Sequence, residues 1–150
     1  MLGAIEIAVN AHQGQYDKAG ADYIDHPLRV MAKGHTDEER IVGVLHDVIE
    51  DSDWTFGMLQ SEGFSSEIIE ALKCLTKLSE YEDYDDFISR IMTNPLAVKV
   101  KLNDLEDNLD MSRLTVLTET DIVRAQKYKR AFARLKGLQN VTSITMTECD

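Results

Sequence analysis

The amino-acid sequence predicts an all-α protein, a bundle of about seven or eight helices in one domain. Apolar residues recur at helical spacing along almost the whole chain, whereas the alternation typical of strands is nearly absent. With 150 residues, 43% of them hydrophobic, and only two prolines, the chain is long enough to bury one sizeable core. We expect this domain to occupy residues 1–138, with 139–150 as a polar C-terminal tail of unassigned structure.

The first two helices each have a signal of their own. Apolar residues such as Ile5 and Ala8 mark the first helix, and we expect His12 to be its polar end. Asp25 is the expected N-cap of the second helix, which has Pro27 in its first turn.

The third helix has the clearest start of all, because Thr36 followed by Glu39 forms a capping box before the apolar run 41–49. The next helix is expected to be short and to begin at Asp53 or Thr55, and the following one begins at Ser65. The remaining helices are expected at 81–92, 95–109 and 121–138.

Charge and cysteine usage exclude several classes of protein. The formal net charge of -11 argues against nucleic-acid or acidic-membrane partners, because both need a basic patch. A metal ion and a few lysines or arginines could still make the electrostatic potential positive at one site, and such a site could bind an anionic small molecule. Cys74 and Cys149 show no disulfide or zinc-finger spacing, and no signal peptide or membrane-spanning segment is recognisable. We expect a cytoplasmic protein, and a homo-oligomer stays an open alternative.

An acidic cluster within an apolar run is the main functional signal. His46 and Asp47 lie in the run 41–49, where burying a carboxylate is costly unless it is ion-paired or bound to a metal. Glu50 and Asp51 follow three and four residues after Asp47. On a helix they would therefore lie on the same face as Asp47, about one turn further along. A metal ligand and a reacting group could therefore lie in one pocket.

Two other segments add candidate ligands. His26 precedes a proline at a helix start, and Asp104 lies in the apolar helix 95–109. Each of them alone is more commonly a packed or ion-paired residue. With His46 and Asp47 they make two imidazoles and two carboxylates, a set suited to a divalent ion such as manganese, iron or zinc.

Four sequence blocks follow one another in a specific order. They are Ala11-His12-Gln13-Gly14-Gln15 with Lys18, Tyr23-Ile24-Asp25-His26-Pro27, His46-Asp47-Val48-Ile49-Glu50-Asp51, and Val100-Lys101-Leu102-Asn103-Asp104 with Asn108-Leu109. Together the blocks resemble the HD-domain metal-dependent phosphohydrolases. Among these, they are most similar to the hydrolase half of the RelA/SpoT alarmone enzymes and to the small alarmone hydrolases. The resemblance extends from about residue 5 to residue 138.

The resemblance implies an HD-domain helical bundle and a metal-dependent hydrolase of guanosine 3′,5′-bis(diphosphate), or of a related nucleotide, that releases the 3′ pyrophosphate. Glu50 and Asp51 match the acidic pair beside the attacking water. The implied ligands of one divalent ion, manganese in the family, are His26, His46, Asp47 and Asp104. The implied substrate contacts are Lys18, Asn108 and Tyr128, with Lys77 and Arg124 as looser candidates.

One position departs from the family pattern. Tyr16-Asp17-Lys18 stands where the alarmone hydrolases carry Arg-Lys, so Asp17 replaces an arginine that would help to hold the guanine nucleotide. Two alternatives therefore stay open: an HD phosphohydrolase of another nucleotide or phosphoester, and a non-catalytic nucleotide-binding HD domain. The intact Glu50-Asp51 pair disfavours the second, because a binding module has little need for it.

Overall fold

A computed structural model describes the backbone of residues 2–149 and the side chains of residues 2–138. The described backbone is helical and contains no strand beyond one isolated bridge between Tyr16 and Asp22. The helices are α1 (Leu2–Ala11), α2 (Asp25–Ala32), α3 (Asp37–Leu45), α4 (Val48–Asp51), α5 (Phe56–Ser61), α6 (Ser66–Leu75), α7 (Tyr84–Ile91), α8 (Pro95–Leu109) and α9 (Glu119–Cys149). The all-α prediction is confirmed.

The run 41–49 is not one continuous helix as predicted. Helix α3 ends at Leu45, and α4 is a single turn that begins after Asp47, whose backbone adopts φ −106° and ψ 0°. The amide of Asp51 still donates a hydrogen bond of 3.0 Å to the carbonyl oxygen of Asp47. The acidic pair therefore remains one turn beyond the His-Asp pair, although the axis is broken between them.

Most of the predicted helix starts agree with the structure. Thr36 and Glu39 form the reciprocal capping box of α3. Thr55, rather than Asp53, caps α5 by accepting a hydrogen bond from the amide of Met58, and Ser65 caps α6 in the same way. Helix α8 has the predicted bounds.

Two helix boundaries differ from the sequence prediction. Helix α7 begins only at Tyr84, because the carboxylate of Asp83 accepts a hydrogen bond from the amide of Asp86 and caps the helix there. Helix α9 continues to Cys149, whereas the prediction ended at residue 138. The side chains of the predicted tail, 139–150, lie outside those that the structure describes.

The predicted N-cap role of Asp25 is wrong. The residue before α2 is Ile24, which already has helical backbone angles, and it makes no side-chain cap. The amides of Asp25 and His26 donate instead to the carbonyl oxygens of Asp22 and Tyr23, at 3.1 Å each. Because a preceding turn already satisfies these amides, no carboxylate is needed to cap the helix.

Helix α3 lies at the centre of the bundle and packs against α1, α2, α6 and α8. Val42, Val44 and Leu45 are fully buried there. Gly43 packs tightly against α2, since a Cβ atom at this position would lie 3.3 Å from the backbone of Met31. This close packing holds the helix that carries His26 next to the helix that ends just before His46. Between residues 2 and 149, no helix is long and apolar enough to cross a membrane.

Candidate active site

The predicted ligands come from helix α2, from the break between α3 and α4, and from helix α8, and they meet at one point. His26, His46 and Asp47 each offer a ligand atom, and these atoms all lie within 4.8 Å of one another. Nε2 of His46 is 3.0 Å from Oδ2 of Asp47 and 3.3 Å from Oδ1 of Asp104. Nε2 of His26 is 2.8 Å from the same Asp104 oxygen. The structure thus brings together all four residues, which are separated by up to 78 positions in the sequence.

The state of His46 fits a metal ligand. Its ring is 4% exposed, Nδ1 donates a hydrogen bond of 2.6 Å to the carbonyl oxygen of Gly43, and Nε2 is buried without a hydrogen-bond partner. A ligating histidine usually has one nitrogen fixed by such a bond and the other directed at the ion. The donor set of imidazole nitrogens and carboxylate oxygens therefore fits a divalent cation.

The electrostatics of the cluster also favour a cation. Burial lowers the pKa of His46, but the carboxylates of Asp47 and Asp104 outweigh it and hold that pKa well above its usual range. Burial opposes ionisation of Asp104 as well, yet Lys101 and His46 keep its pKa well below the usual range. Against the effect of burial, His46 in turn lowers the pKa of Asp47, so the carboxylates of Asp47 and Asp104 both remain ionised at neutral pH and make the cluster attractive to positive charge.

Residues around the four candidate ligands fix their orientation. Tyr23 donates a hydrogen bond of 2.6 Å to Oδ2 of Asp47, and Nδ1 of His26 donates one of 2.6 Å to Asp107. Lys101 donates to Oδ2 of Asp104 at 2.8 Å. None of these three residues has a role predicted from the sequence. The signals were nevertheless present: Tyr23 and Lys101 lie within the motif blocks, and Asp107 is one helical turn after Asp104.

Glu50 and Asp51 lie beside the cluster in different environments. Glu50 lines a cavity next to the candidate ligands, and its Oε1 accepts a hydrogen bond of 2.6 Å from the amide of Lys77. Asp51 lines neither of the two main cavities. Burial, and then the charges of Asp47 and Glu50, raise the pKa of Asp51 to about 6. One carboxyl group is thus oriented by the backbone, whereas the other titrates close to neutral pH.

Two cavities adjoin at the candidate ligands. The smaller one, about 210 Å³, contains His46, Asp47 and Asp104 in its wall. The larger one, about 330 Å³, extends away from the cluster towards the start of α9. The residues that line both cavities are Tyr23, His26, Asn108 and Tyr128. An elongated ligand could therefore reach from the metal cluster into the larger cavity.

All five predicted substrate contacts border these cavities. Asn108 and Tyr128 line both, Lys77 lines the smaller one, and Lys18 and Arg124 line the larger one. Three of the contacts have polar partners within the protein, and Nη1 of Arg124 lies 3.9 Å from Oδ1 of Asp121. Nζ of Lys18 is 3.1 Å from Oδ1 of Asp121, and Asn108 donates to Oδ1 of Asp104 at 3.1 Å.

His12 is not the polar helix end that the sequence suggested. It is only 2% exposed, and its ring centroid lies 5.0 Å from that of Tyr23. Nδ1 is 2.9 Å from Oε1 of Gln15. The residue belongs to the layer of side chains behind the candidate ligands, because the chain turns back at 13–23 and covers it.

Asp17 holds the loop that forms part of the larger cavity. Its Oδ1 accepts hydrogen bonds of 2.9 Å from the amides of both Ala19 and Ala21. The side chain also lines the cavity. Asp17 is therefore a loop-forming residue as well as a negative charge in the cavity wall.

No family model matches the chain. The guanosine-3′,5′-bis(diphosphate) 3′-pyrophosphohydrolase of Haemophilus influenzae is 34% identical over 116 residues, which are 69% of this chain and 17% of that protein. The GTP pyrophosphokinase of Myxococcus xanthus is 41% identical over 119 residues, which are 68% of this chain and 16% of that protein. The chain spans about a sixth of the length of these curated relatives.

A solved structure agrees with the fold. It is described as a metazoan ortholog of SpoT that hydrolyzes ppGpp and plays a role in starvation responses. It is 19% identical, has a TM-score of 0.70, and covers 89% of this chain and 83% of that chain. The HD-type bundle is therefore confirmed. The curated relatives confirm the resemblance that the four motif blocks predicted, to hydrolases of the RelA/SpoT type.

Proposed function

We propose that this chain is a metal-dependent pyrophosphohydrolase of guanosine 3′,5′-bis(diphosphate) or a closely related nucleotide. The observation that carries the proposal is the convergence of His26, His46, Asp47 and Asp104 beside Glu50 in one cavity wall. The similarity to named 3′-pyrophosphohydrolases over 69% of the chain supports the substrate. Residues 1–138 form the hydrolase domain in this proposal, and the protein acts in the cytoplasm without a nucleic-acid partner.

The ion that we propose is manganese, held by His26, His46, Asp47 and Asp104. The mixed nitrogen and oxygen donors suit a borderline or hard divalent cation. When bound, such an ion supplies Lewis acidity towards a phosphoryl oxygen. Tyr23, Asp107 and Lys101 keep the donor atoms of three of the ligands in place.

The reaction cleaves the bond between phosphorus and the ribose O3′ atom. The oxygen of water forms a bond to that phosphorus, the bond to O3′ breaks, and the two phosphates leave as pyrophosphate. Glu50 is the member of the acidic pair that lines the cavity, so the proton of the water passes through it to Asp51, whose pKa is raised to about 6. The acidic pair then returns this proton to O3′ as the nucleoside part leaves. Glu50, fixed by the amide of Lys77, orients the water.

The two adjoining cavities support an elongated anionic substrate. The released diphosphate occupies the smaller cavity, next to the candidate ligands and Lys77. The nucleoside and its other phosphates extend past Asn108 and Tyr128 into the larger cavity, where Lys18 and Arg124 lie. Positive side chains at both ends suit a nucleotide with phosphates on two positions of the ribose.

Asp17 favours a second candidate, an HD phosphohydrolase of another nucleotide or phosphoester. Its carboxylate lies in the wall of the larger cavity, where it repels phosphate groups. A substrate without phosphates at that end would avoid the repulsion. The non-catalytic alternative has less support, because Glu50 borders the same cavity as the candidate ligands.

A manganese-supplemented assay of the purified protein against a panel of nucleotides tests these functions. We expect pyrophosphate as the product, formed from guanosine 3′,5′-bis(diphosphate) and not from GDP or GTP. Release of orthophosphate, or faster turnover of other nucleotides, would favour the second candidate. Nucleotide binding without any product would favour the non-catalytic domain.

A further inference from the structure

The smaller cavity has a positively charged wall formed by Lys77, Lys101 and Lys127. Lys101 is buried and its ammonium group is neutralised by Asp104, 2.8 Å away. The other two lysines are not neutralised in this way. Among the side chains of residues 2–138, neither Lys77 Nζ nor Lys127 Nζ has a hydrogen bond or an ion pair.

Both free ammonium groups are held over aromatic rings. Nζ of Lys127 lies 4.5 Å from the ring centroid of Tyr84 and 5.6 Å from that of Tyr128. Nζ of Lys77 lies 5.9 Å from the same Tyr84 ring. Tyr84 thus contacts two lysines from separate parts of the chain, the loop before α7 and the N-terminal third of α9.

Leaving these charges unpaired is unfavourable in the free protein. Burial, and then repulsion from Lys77 and Arg124, lower the pKa of Lys127. The chain carries 27 acidic residues, so its composition offers ample carboxylates for a lysine that serves only stability. An anion between the two lysines would relieve the repulsion and gain charge-assisted hydrogen bonds.

We propose that Lys127, together with Lys77, binds the terminal phosphate of the diphosphate that the enzyme releases. The phosphate that is attacked lies at the His-Asp cluster, and the next phosphate lies against the lysines of the same cavity wall. Lys127 is therefore a substrate-binding residue that selects diphosphates over monophosphates. This inference rests on the proposed function, because it assigns the second phosphate of that substrate.

Calorimetric binding of inorganic pyrophosphate and orthophosphate to the manganese-loaded protein tests the inference without turnover. Lys127→Gln should weaken pyrophosphate binding about tenfold or more, because a charge-assisted contact is lost. Its binding of orthophosphate should change less than twofold. Lys127→Arg should restore most of the affinity for pyrophosphate. Lys129→Gln is the matched control, since Lys129 is exposed on the same helix and lines neither cavity.

The outcomes separate this inference from the proposed function. Equal pyrophosphate affinity in Lys127→Gln and Lys129→Gln would overturn it, even if the wild type hydrolyses the bis(diphosphate). Absence of pyrophosphate binding to the wild type would also overturn it. A selective loss in Lys127→Gln would support it even if the bis(diphosphate) is not a substrate. Unchanged melting temperature and metal content in each variant exclude a general structural effect.

Discussion

The Nδ1 atom of His46 lies 2.6 Å from the carbonyl oxygen of Gly43, so the last turn of α3 fixes the orientation of this imidazole ring. The bond leaves Nε2 facing the carboxylates of Asp47 and Asp104. Gly43 is also packed tightly against α2. The packing of two helices and the direction of one candidate metal ligand therefore depend on the same short segment.

The first prediction concerns the metal. His46→Ala or Asp47→Ala should abolish stoichiometric binding of a divalent ion, because each change removes a donor from the cluster. Added manganese should raise the melting temperature of the wild type, since an ion that binds only the folded state stabilises that state. It should have no such effect on the variants. Metal analysis and thermal unfolding check both statements.

The histidine control for this experiment is His35→Ala, which removes an exposed ring outside the cluster. It should keep the metal content and the manganese-dependent rise in melting temperature. Unchanged metal stoichiometry in both the His46 and Asp47 variants would contradict the proposed site.

The second prediction concerns Gly43. Gly43→Ala would place a methyl group 3.3 Å from the backbone of Met31 and from a side-chain carbon of Val30. Helices α2 and α3 must then separate, which typically costs about 1–3 kcal/mol for an overpacked core. Because His26 and His46 belong to these two segments, metal affinity should fall as well.

Chemical denaturation and metal titration measure the two effects of Gly43→Ala. Gly3→Ala is the control, because a Cβ atom at Gly3 has no neighbour within 4 Å, and alanine is the better helix former. Stability of Gly43→Ala equal to that of the wild type would show that the two helices can separate without cost.

Features that follow from local chemistry were predictable from the sequence, whereas features that depend on tertiary contacts, such as the turn that makes an Asp25 cap unnecessary, were not. The capping box at Thr36 and the bounds of α8 were predicted because both follow from local chemistry. The burial of His12 could not be predicted in this way, since it results from the turn at 13–23 folding back over the helix. The break after Leu45 was hidden for a similar reason, because the apolar pattern continues through it.

In the candidate site, too, some features could be predicted from the sequence and others depend on tertiary contacts. The motif blocks indicated which four residues could bind an ion, and the structure brings them together. The hydrogen bond from Tyr23 to Asp47 joins positions that are 24 residues apart, so no local pattern reports it. Lys127 belongs to none of the motif blocks, and its candidate role follows only from the position of its ammonium group over the ring of Tyr84.

The third prediction concerns pH. Asp51 has a pKa raised to about 6, and it must be ionised to accept a proton from water. We therefore expect kcat/KM to fall about tenfold per pH unit below pH 6, as the carboxylate becomes protonated. Asp51→Asn should lower kcat by about 100-fold or more and remove this acidic limb from the residual activity.

Two controls accompany the pH profile. Asp53→Asn changes an exposed carboxylate two residues away and should leave the profile unaltered. Metal content must be measured at each pH, because protonation of the histidines also releases a bound ion. An acidic limb that persists in Asp51→Asn at full metal occupancy would assign the proton transfer to another group.

The fourth prediction tests the substrate at Asp17, whose Oδ1 accepts hydrogen bonds from the amides of Ala19 and Ala21. Asp17→Asn keeps an oxygen that can accept both hydrogen bonds and removes only the charge. For a surface charge that repels phosphate this change is worth on the order of 1 kcal/mol. If the chain hydrolyses guanosine 3′,5′-bis(diphosphate), KM should fall severalfold while kcat changes little.

Asp17→Arg provides the comparison, because it introduces the residue type of the alarmone hydrolases but removes both backbone hydrogen bonds. We expect Asp17→Arg to loosen the loop. Its KM should therefore decrease less than that of Asp17→Asn, although an arginine has the more favourable charge. If the physiological substrate carries no phosphate at this end of the cavity, both variants should lower the native activity. Neither should then increase the rate of bis(diphosphate) hydrolysis appreciably. Unaltered kinetics in Asp17→Asn on every substrate tested would mean that Asp17 lies outside the reach of the bound nucleotide, and its charge would no longer count against the alarmone.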